Sequence, residues 1–395
     1  MKILLVATKA PWPPIDGGRL LLRHTLEGLA AAGVRPTLVA PIDPERFDPA
    51  AVAAALEPWC EPLLVRQRPA GPLATLVRAA LRREPLSIAR HSRAVVRREV
   101  ARLVAARRFD LVHAEQLQAV PQTAPAHRRG LPLVLRAQNV ESALWAAAGR
   151  GRLGATEAAR LAVWEGQAVA GAAATLALSE EDAASLRALA RGGGRVLTVP
   201  APFPASLPAG PAPLPGAPAV VVLGSRGWLP NRDAAAWFLA EIWPAVRRLL
   251  PAAQLHLFGP GPERPRGPGL DGPPGVAWHE APADSAAAFA RGSLHAVPLR
   301  IGSGVRMKVL EAWARGVPVV GTPQGLAGLA AADGRELLVA HGAEEFAAAL
   351  ARLHREPALA DALVRGGRAL LARRHDPGRV ARQLIDVYEA VLGSV

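Results

Sequence analysis

The chain has 395 residues, half of them apolar, which is enough for two domains that each bury a core. Its single cysteine, Cys60, excludes a disulfide-stapled fold and fits a reducing compartment. The apolar run at residues 3–7 is too short for a signal peptide, and eight prolines within residues 200–218 exclude a membrane helix from a long uncharged stretch. The sequence therefore predicts a cytoplasmic protein, either free or attached peripherally to the inner face of the cell membrane.

Strand-like apolar runs alternate with helical periodicity along the first 200 residues. This alternation predicts a parallel sheet with helices on both faces. The predicted strands are 3–7, 37–40, 63–66, 111–114, 133–136, 175–178 and 196–199, and the predicted helices are 19–32, 87–107, 155–170 and 180–190.

Residues 201–218, rich in proline, alanine and glycine, are typical of a stiff linker. The alternation restarts after them, with predicted strands 220–223, 254–258, 276–278, 294–298 and 318–320 and predicted helices 231–250, 283–290, 304–315, 343–354, 357–374 and 378–393. The expected fold class is α/β, with Rossmann-like domains at residues 1–200 and 219–376 whose parallel sheets face across a cleft. Residues 377–395 are expected to form a helix that packs back on the first domain.

Most of the net charge of +14 comes from residues 66–108, which hold twelve arginines and two acids. Interleaved aliphatic residues give this segment amphipathic helical spacing, which favours contact with an anionic membrane surface. The alternative is that a general bias in composition places arginine on every solvent-exposed face of this protein. In support of it, only three of the 47 basic residues are lysines. Nucleic-acid binding is not predicted, since aromatic residues are nearly absent from the segment.

A proline-containing loop, residues 8–15, follows the first predicted strand and leads into Asp16-Gly17-Gly18-Arg19. Asp16 is a suitable N-cap for the helix that follows. Gly17 and Gly18 lie where parallel sheets receive ligands, and without a Cβ they let a phosphate or sugar approach the backbone. A simple turn is the alternative.

A second glycine-containing loop, between two late strands, is the most informative part of the chain. Gly302 and Gly304 permit close backbone approach, and the helix predicted to start at 304 carries Arg306 and Lys308 in its first turn, with no acid before Glu311. Cations there oppose the helix dipole unless an anion binds. We therefore expect a diphosphate site, with Glu311 placed to accept hydrogen bonds from a ribose diol. A solvated ion pair between Lys308 and Glu311 is the alternative.

Other chemistries find little support in the sequence. It contains no Asp-x-Asp pair, no P-loop and no clustered His and Cys, so no metal site is predicted. His113, His256 and His295 lie in strand-like runs and are expected to be core or rim residues. His24, in the first helix, and Glu115, just past a strand end, are candidates for contacting an acceptor.

These features resemble family 4 (group 1) glycosyltransferases of the GT-B fold, in a bacterial polysaccharide subgroup, over nearly the whole chain. The likeness rests on residues 1–6, 13–14 and 16–19, on Gly224-Ser225 and Trp228-Leu229-Pro230-Asn231, on residues 298–312 and 316–320, and on Gln324-Gly325-Leu326. It implies transfer of a sugar from a nucleotide diphosphate sugar to an acceptor, with retention at the anomeric carbon and with neither a required metal nor another cofactor.

The resemblance also implies roles for individual residues. Arg306 and Lys308 would hold the diphosphate as catalytic groups, and Glu311 would hold the ribose. The other implied donor-side residues are Gly17, Gly18, Gly224, Ser225, Arg226, Gly302, Ser303, Gly304, Gly325 and Leu326.

Three positions depart from the family pattern. Ser303 replaces the first glutamate of the donor-site signature, and residues 199–202 replace a Val-Pro-Asn-Gly turn. Relatives carry His where this chain has Gln138, which we take as a catalytic candidate, with Asn139 and Glu141 as acceptor-side candidates. The acceptor stays open between a glycan, a lipid-linked and a small-molecule acceptor, as does UDP against GDP. A catalytically inactive GT-B scaffold and a nucleotide-sugar epimerase remain alternatives.

Overall fold

The computed structural model describes residues 1–149, 151–210, 212–260, 273–280 and 285–394. They form two compact units, one made of Met1–Pro202 together with the segment from Pro377 onward, the other of Phe203–Asp376. Each unit has its own parallel sheet and its own buried apolar core. No helix in these described ranges is both long and apolar enough to cross a membrane.

The first unit is built on a seven-stranded sheet. Its strands pair in the order β3-β2-β1-β4-β5-β6-β7, and every pairing is parallel. The central strands are buried on both faces, which explains why their sequences are continuous apolar runs. The strands are β1 (Ile3–Ala7), β2 (Thr37–Ile42), β3 (Glu61–Arg66), β4 (Leu111–Glu115), β5 (Leu133–Ala137), β6 (Ala174–Ala177) and β7 (Val196–Thr198).

Helices cover both faces of this sheet. They are α1 (Gly17–Ala31), α2 (Pro49–Leu56), α3 (Pro72–Arg82), α4 (Leu86–His91), α5 (Ala94–Ala106), α6 (Val120–His127), α7 (Glu141–Ala148), α8 (Gly151–Gly171) and α9 (Glu180–Leu189). The single helix predicted at 87–107 was wrong, because the chain is extended at Ser92 and Arg93 between α4 and α5. Arg78 from α3 stabilises that break by donating hydrogen bonds to the carbonyls of Ala89 and Ser92, at 3.0 and 2.9 Å.

The second unit is built on a six-stranded parallel sheet of order β10-β9-β8-β11-β12-β13. Its strands are β8 (Ala219–Leu223), β9 (Gln254–Phe258), β10 (Val276–His279), β11 (Leu294–Val297), β12 (Val319–Gly321) and β13 (Leu338–Val339). Trp237, Trp243 and Trp313 are buried in this unit.

The α-helices in the described part of this unit include two segments that contain a π-helical turn. They are α10 (Leu229–Trp237), continued through a π-helical turn (Phe238–Ile242) into α11 (Trp243–Leu249), then α12 (Met307–Arg315), α13 (Pro323–Leu326), α14 (Ala343–Arg355) and α15 (Pro357–Leu370), which ends in a π-helical turn (Leu371–His375). The helix predicted at 283–290 is a 3-10 helix (Ser285–Phe289), and residues 283–284 lie outside the described ranges. The helix predicted from 304 begins at Met307, because Gly304 has φ +79°, which no right-handed helix accommodates.

The last helix, α16 (Pro377–Leu392), packs against α1 in the first unit. A Cβ on Gly28 of α1 would lie 2.6 Å from the carbonyl oxygen of Pro377, so glycine is needed for this close approach. Tyr388 of α16 reaches the sheet, where its hydroxyl hydrogen-bonds to Nδ1 of His113 at 2.8 Å.

Both sheets have a point where the chain changes its direction of winding. The first sheet extends from β1 toward β2 and β3, then resumes with β4 on the other side of β1. The second extends from β8 toward β9 and β10, then resumes with β11 on the other side of β8. In parallel α/β sheets, ligands bind at the carboxyl ends of the strands that flank such a point. The loops after β1, β4, β8 and β11 are therefore the places to look for function.

Candidate functional site

Lys308 lies at the switch point of the second sheet. It sits in the first turn of α12, and its half-buried side chain reaches the end of β8, where Nζ donates a hydrogen bond to the carbonyl of Leu223 at 2.5 Å. The side-chain oxygen of Asn231 lies 3.5 Å from the same nitrogen. Among the described residues Lys308 has no acidic partner. The end of β8 thus holds a cation that only neutral oxygens contact.

The protonation of Lys308 reflects this environment. Burial away from water lowers the pKa of Lys308 to about 7, and the positive charge of Arg306 acts in the same direction. The neighbouring His295, buried in β11, stays neutral, because burial and then the charge of Lys308 lower its pKa to about 3. A bound anion would relieve this excess of positive charge.

Arg306 is the second cation of the loop, and it is not in the first helical turn as predicted. It is the N-cap of α12, with an extended backbone, because the left-handed Gly304 delays the helix start. Its buried guanidinium folds back over the loop and donates hydrogen bonds to the carbonyls of Ser303, Gly304 and Gln324. Gly302 has φ +146°, and a Cβ there would lie 2.4 Å from the guanidinium. Glycine at 302 is therefore required by the arginine as well as by the backbone.

Gly224, Ser225 and Arg226 follow β8, and Gly224 and Arg226 line the same small cavity as Lys308 and Asn231. Gly224 packs against the side chain of Asn231 so closely that a Cβ would come within 2.5 Å of it. Ser225 accepts a hydrogen bond from Nδ2 of Asn231 at its carbonyl, which orients the amide oxygen toward Lys308. Through Asn231, which lies 77 positions from Lys308 in the sequence, the turn after β8 contacts α12.

The side chain of Arg226 stacks over Trp278, with its guanidinium carbon 5.3 Å from the ring centroid. It also donates a hydrogen bond of 3.4 Å to the carbonyl of His279 and lies 3.9 Å from the exposed carboxylate of Glu280. Its half-buried guanidinium is thus held at the rim of the cavity, where it adds a third positive charge near Lys308.

Glu311 is buried one turn beyond Lys308 and does not pair with it. Its Oε1 accepts hydrogen bonds from Ser285 at 2.5 Å and from Arg315 at 2.9 Å. The alternative of a solvated ion pair between Lys308 and Glu311 is wrong, because each group has other partners and neither is exposed. Glu311 is a fixed carboxylate on the same helix face as Lys308.

The segment after β12 closes the loop from the other side. Thr322 caps α13 by accepting a hydrogen bond from the amide of Gly325 at 2.9 Å, and a Cβ on Gly325 would lie 2.4 Å from the carbonyl oxygen of Val297. Gln324 donates a side-chain hydrogen bond to the carbonyl of Gly302. Leu326 is buried against Gly321. Gln324 thus connects this segment to the loop that carries the partly exposed Ser303, whereas Gly325 and Leu326 pack against the ends of β11 and β12.

The glycine loop of the first unit lies at the other switch point, after β1. Asp16 caps α1 by accepting a hydrogen bond from the amide of Arg19 at 3.0 Å, which confirms it as the N-cap. Lys9 and the guanidinium of Arg19 also contact its carboxylate and keep its pKa at about 2 despite burial, which acts in the opposite direction. Gly17 and Gly18 form the first turn of α1.

Gln138 lies directly behind this turn. A Cβ on Gly18 would be 2.9 Å from Oε1 of Gln138, and that oxygen accepts a hydrogen bond from Nε2 of Gln116 at 2.8 Å. Nε2 of Gln138 donates to Glu115 at 2.7 Å. Both ends of the amide are therefore engaged, and Gln138 packs against the glycine turn and has no basic atom with which to accept a proton.

Glu115 is fully buried at the end of β4 and is not available to an acceptor, contrary to the prediction. Its carboxylate forms an ion pair with the buried Arg136, whose guanidinium also donates to Thr25 at 2.9 Å. Burial would raise the pKa of Glu115, but the charge of Arg136 and a hydrogen bond from His113 prevail and hold it at about 2. This pair anchors Gln138 beneath the glycine turn.

The remaining acceptor-side candidates occupy separate places. His24 is buried in α1 with Nδ1 2.7 Å from the carboxylate of Glu27. Asn139 donates a long hydrogen bond of 3.5 Å to Glu141 at the start of α7. Burial, together with the nearby carboxylate of Glu165, raises the pKa of Glu141 to about 7. His24 is thus part of the packing of α1, whereas Glu141 is a half-buried carboxyl group that can change charge near neutral pH.

Sequence reasoning missed Gln116 and Thr8. Gln116 follows β4 with φ +74°, and its amide bridges the hydroxyl of Thr8 and the side chain of Gln138. A non-glycine residue in this conformation is strained and is often found at functional sites. No local sequence pattern predicts this role of Gln116, because its partners are distant in the sequence. Thr8 lies 108 positions away and Gln138 lies 22 positions away.

Comparisons with known proteins agree with this architecture. The model of the family described as glycosyl transferases group 1 matches residues 217–356, and that of the glycosyl transferase 4-like domain matches residues 16–202. None of the curated proteins matches the chain. Among solved structures, sucrose-phosphate synthase of Thermosynechococcus elongatus superposes with a TM-score of 0.71 at 17% identity, covering 100% of both chains.

Two further solved structures have the same fold. Alr3699/HepE of Anabaena, in complex with UDP and glucose, has a TM-score of 0.64 at 16% identity over 99% of this chain and 100% of its own. A glycosyltransferase of Rickettsia africae has a TM-score of 0.65 at 10% identity over 99% and 98% of the two chains. The two family matches together span most of the sequence. The chain therefore belongs to the group 1 glycosyltransferases and has the GT-B fold of two Rossmann-like units.

Proposed function

We propose that the protein transfers a sugar from a nucleotide diphosphate sugar to an acceptor hydroxyl, with retention at the anomeric carbon and without a required metal, in bacterial glycan or glycoconjugate synthesis. The observation that carries this proposal is Lys308, a cation that lacks an acidic partner among the described residues and lies at the switch point beside two left-handed glycines. The UDP and UDP-glucose complexes of Alr3699/HepE support a donor of this class.

The donor diphosphate binds in the second unit in this proposal. Lys308, Arg306 and the backbone of Gly302 and Gly304 receive the phosphates, and Arg226 adds charge at the rim of the cavity. Glu311, held by Ser285 and Arg315, accepts hydrogen bonds from the ribose diol. Its fixed position means that little side-chain entropy is lost when the nucleotide binds.

Catalysis then follows from charge. When the bond between the anomeric carbon and the phosphate oxygen breaks, negative charge develops on the departing diphosphate, and Lys308 and Arg306 stabilise it. The acceptor hydroxyl forms the new bond on the same face of the sugar and transfers its proton to the departing phosphate oxygen. Gln138 does not accept that proton, because it is an amide, and it serves as a positioning residue for Gly17 and Gly18.

The acceptor side is assigned to the first unit. Asn139 and Glu141 are its candidate contacts, and the acceptor is a glycan, a lipid-linked oligosaccharide or a small molecule. We further propose that the enzyme works in the cytoplasm and attaches to an anionic membrane surface through the basic residues 66–108.

The test measures the release of nucleoside diphosphate from a panel of UDP and GDP sugars, with and without candidate acceptors. Lys308→Ala is expected to lower turnover by about a hundredfold or more, because an electrostatic contact to the departing group is lost. Arg248→Ala, which removes an exposed cation paired with Glu344, is the matched control and should leave turnover unchanged. Equal turnover of Lys308→Ala and wild type rejects the assignment. Absence of any turnover, with nucleotide still bound, indicates a scaffold, and conversion of the donor without an acceptor indicates an epimerase.

A further inference from the structure

The helix α3 is oriented with its apolar side toward solvent. Leu73, Leu76, Val77 and Leu81 are 75, 55, 51 and 81% exposed, whereas Thr75 and Ala79 are the buried residues of the helix. The exposed residues are spaced i, i+3, i+4 and i+8, so they form one stripe along the helix. A surface helix of a globular protein normally buries such a stripe, and this one leaves it uncovered among the described residues.

Polar contacts hold the helix in this orientation. Arg78 donates to the carbonyls of Ala89 and Ser92, and Arg82 donates to the hydroxyl of Ser92 at 3.1 Å. The buried Thr75 donates its hydroxyl to the carbonyl of Gly71 at 3.0 Å. Arg78 and Arg82 therefore tie α3 to the end of α4 and to Ser92, and the apolar stripe lies on the solvent side of the helix.

Arginines that precede and follow the stripe in the sequence form a basic rim. Residues 66–98 contain nine arginines and a single acid, Glu84, which accepts a hydrogen bond from Ser92. The exposed members of this set are Arg66, Arg68, Arg82, Arg83, Arg90 and Arg98. Of these, Arg68 pairs with Glu45 in an exposed ion pair. The segment that carries α3 is thus almost uniformly positive.

Leu153 is a further exposed leucine near the α3–α4 turn. It lies on α8 one turn before Glu157, whose carboxylate accepts a hydrogen bond from the amide of Leu86 just after α3. Leu153 is 88% exposed, although it shares this face of α8 with Glu157 and with Arg160, which donates to the carbonyl of Glu84. The helix α8 thus contacts the α3–α4 turn, and Leu153 lies one helical turn from that contact.

We infer that α3 is a membrane-docking helix, whose leucines insert at the boundary between headgroups and acyl chains of an anionic phospholipid bilayer while the surrounding arginines contact the lipid phosphates. The charge of the basic rim indicates that the partner of α3 is a membrane. A rim of positive charge complements an anionic bilayer, whereas the rim of a protein–protein interface typically contains mixed polar groups. Composition agrees, because α3 has no aromatic residue, whereas protein-binding hot spots are rich in Trp and Tyr. The inference rests on the surface attachment proposed above and names the element that inserts.

The test uses the full-length protein and sedimentation with vesicles of phosphatidylcholine containing about a third phosphatidylglycerol. The triple variant Leu73→Ser, Leu76→Ser, Leu81→Ser is expected to bind these vesicles at least about tenfold more weakly than wild type. Leu249→Ser, which removes an exposed leucine of the second unit, is the matched control and should bind like wild type. Equal melting temperatures and equal nucleotide binding will show that the triple variant folds, as expected for substitutions at exposed positions.

A second measurement reports insertion directly. Cys60 is buried, so a polarity-sensitive fluorophore can be attached selectively to Leu76→Cys, with Val163→Cys as a control at another exposed aliphatic position. A blue shift with anionic vesicles at position 76 and not at position 163 supports the inference. The inference is overturned if charge reversal at Arg83, Arg90 and Arg98 abolishes vesicle binding but the triple serine variant still binds like wild type. That result would leave a purely electrostatic attachment to the membrane. Failure of wild type to bind vesicles, or a change of oligomeric state in the triple variant, also overturns the inference, and sugar transfer measured in solution is unaffected by either result.

Discussion

The charge of Lys308 should couple nucleotide binding to proton uptake. With its pKa lowered to about 7 by burial, the free enzyme at pH 8 holds this side chain about nine tenths neutral. A diphosphate beside the amine favours the charged form and raises its pKa, so binding at pH 8 should take up nearly one proton. The affinity should then fall by up to about tenfold per pH unit above pH 7, until the pKa of the complex is passed. The nucleotide itself contributes little in this range, because its terminal phosphate is already largely ionised.

Isothermal titration calorimetry in buffers of different ionisation enthalpy measures this proton uptake. Lys308→Met should abolish this proton uptake. At about pH 6.5, where the wild-type side chain is mostly charged, this variant should also bind nucleotide more weakly than wild type. Glu141→Gln is the matched control, because Glu141 also has a pKa of about 7 but lies in the first unit, so its removal should leave the uptake intact. Affinity that is flat from about pH 7 to about pH 9 with no proton uptake would refute the coupling of Lys308 to the diphosphate.

Three further substitutions test the surroundings of the two loops. Gly302→Ala forces a Cβ against Arg306 at positive φ, which costs about 1–3 kcal/mol locally, so nucleotide affinity in a binding titration should drop, and an unchanged affinity would contradict the role of this loop. Gly18→Ala should reduce turnover, because the new Cβ would clash with the side chain of Gln138. The double variant that also carries Gln138→Ala should recover part of this loss. No recovery would mean that Gly18 acts independently of the Gln138 amide. Glu115→Ala leaves the buried Arg136 unpaired and should lower the free energy of unfolding by about 3–5 kcal/mol in a denaturant titration, whereas a loss below about 1 kcal/mol would show that the pair is not buried as described.

The sheets could be predicted well from the sequence, and several helices could not. Strands such as Ile3–Ala7 and Gln254–Phe258 are buried on both faces, so they appear as uninterrupted apolar runs with clear ends. The helices Pro49–Leu56 and Glu141–Ala148 were missed because alanine fills at least half of the positions in each and marks no preferred face. The break at Ser92 depends on hydrogen bonds from Arg78, which no local pattern reveals.

The candidate site shows the same division. Glycines and cations in residues 302–308 were visible because their chemistry is local, and the two glycine loops were placed correctly after β1 and β11. The partner of Lys308 could not be predicted, because the carbonyl of Leu223 is 85 positions away. Glu115 was misassigned for a related reason: its ion pair with Arg136 forms between neighbouring strands, and only the register of β4 and β5 brings the two side chains together.

A structure of the protein with a bound nucleoside diphosphate tests the central claim most directly. We predict that Nζ of Lys308 leaves the carbonyl of Leu223 and lies about 3 Å from a phosphate oxygen, with Arg306 and the backbone of Gly302 and Gly304 around the same group. A well-ordered diphosphate bound elsewhere, with Nζ of Lys308 still hydrogen-bonded to the carbonyl of Leu223, would contradict this claim.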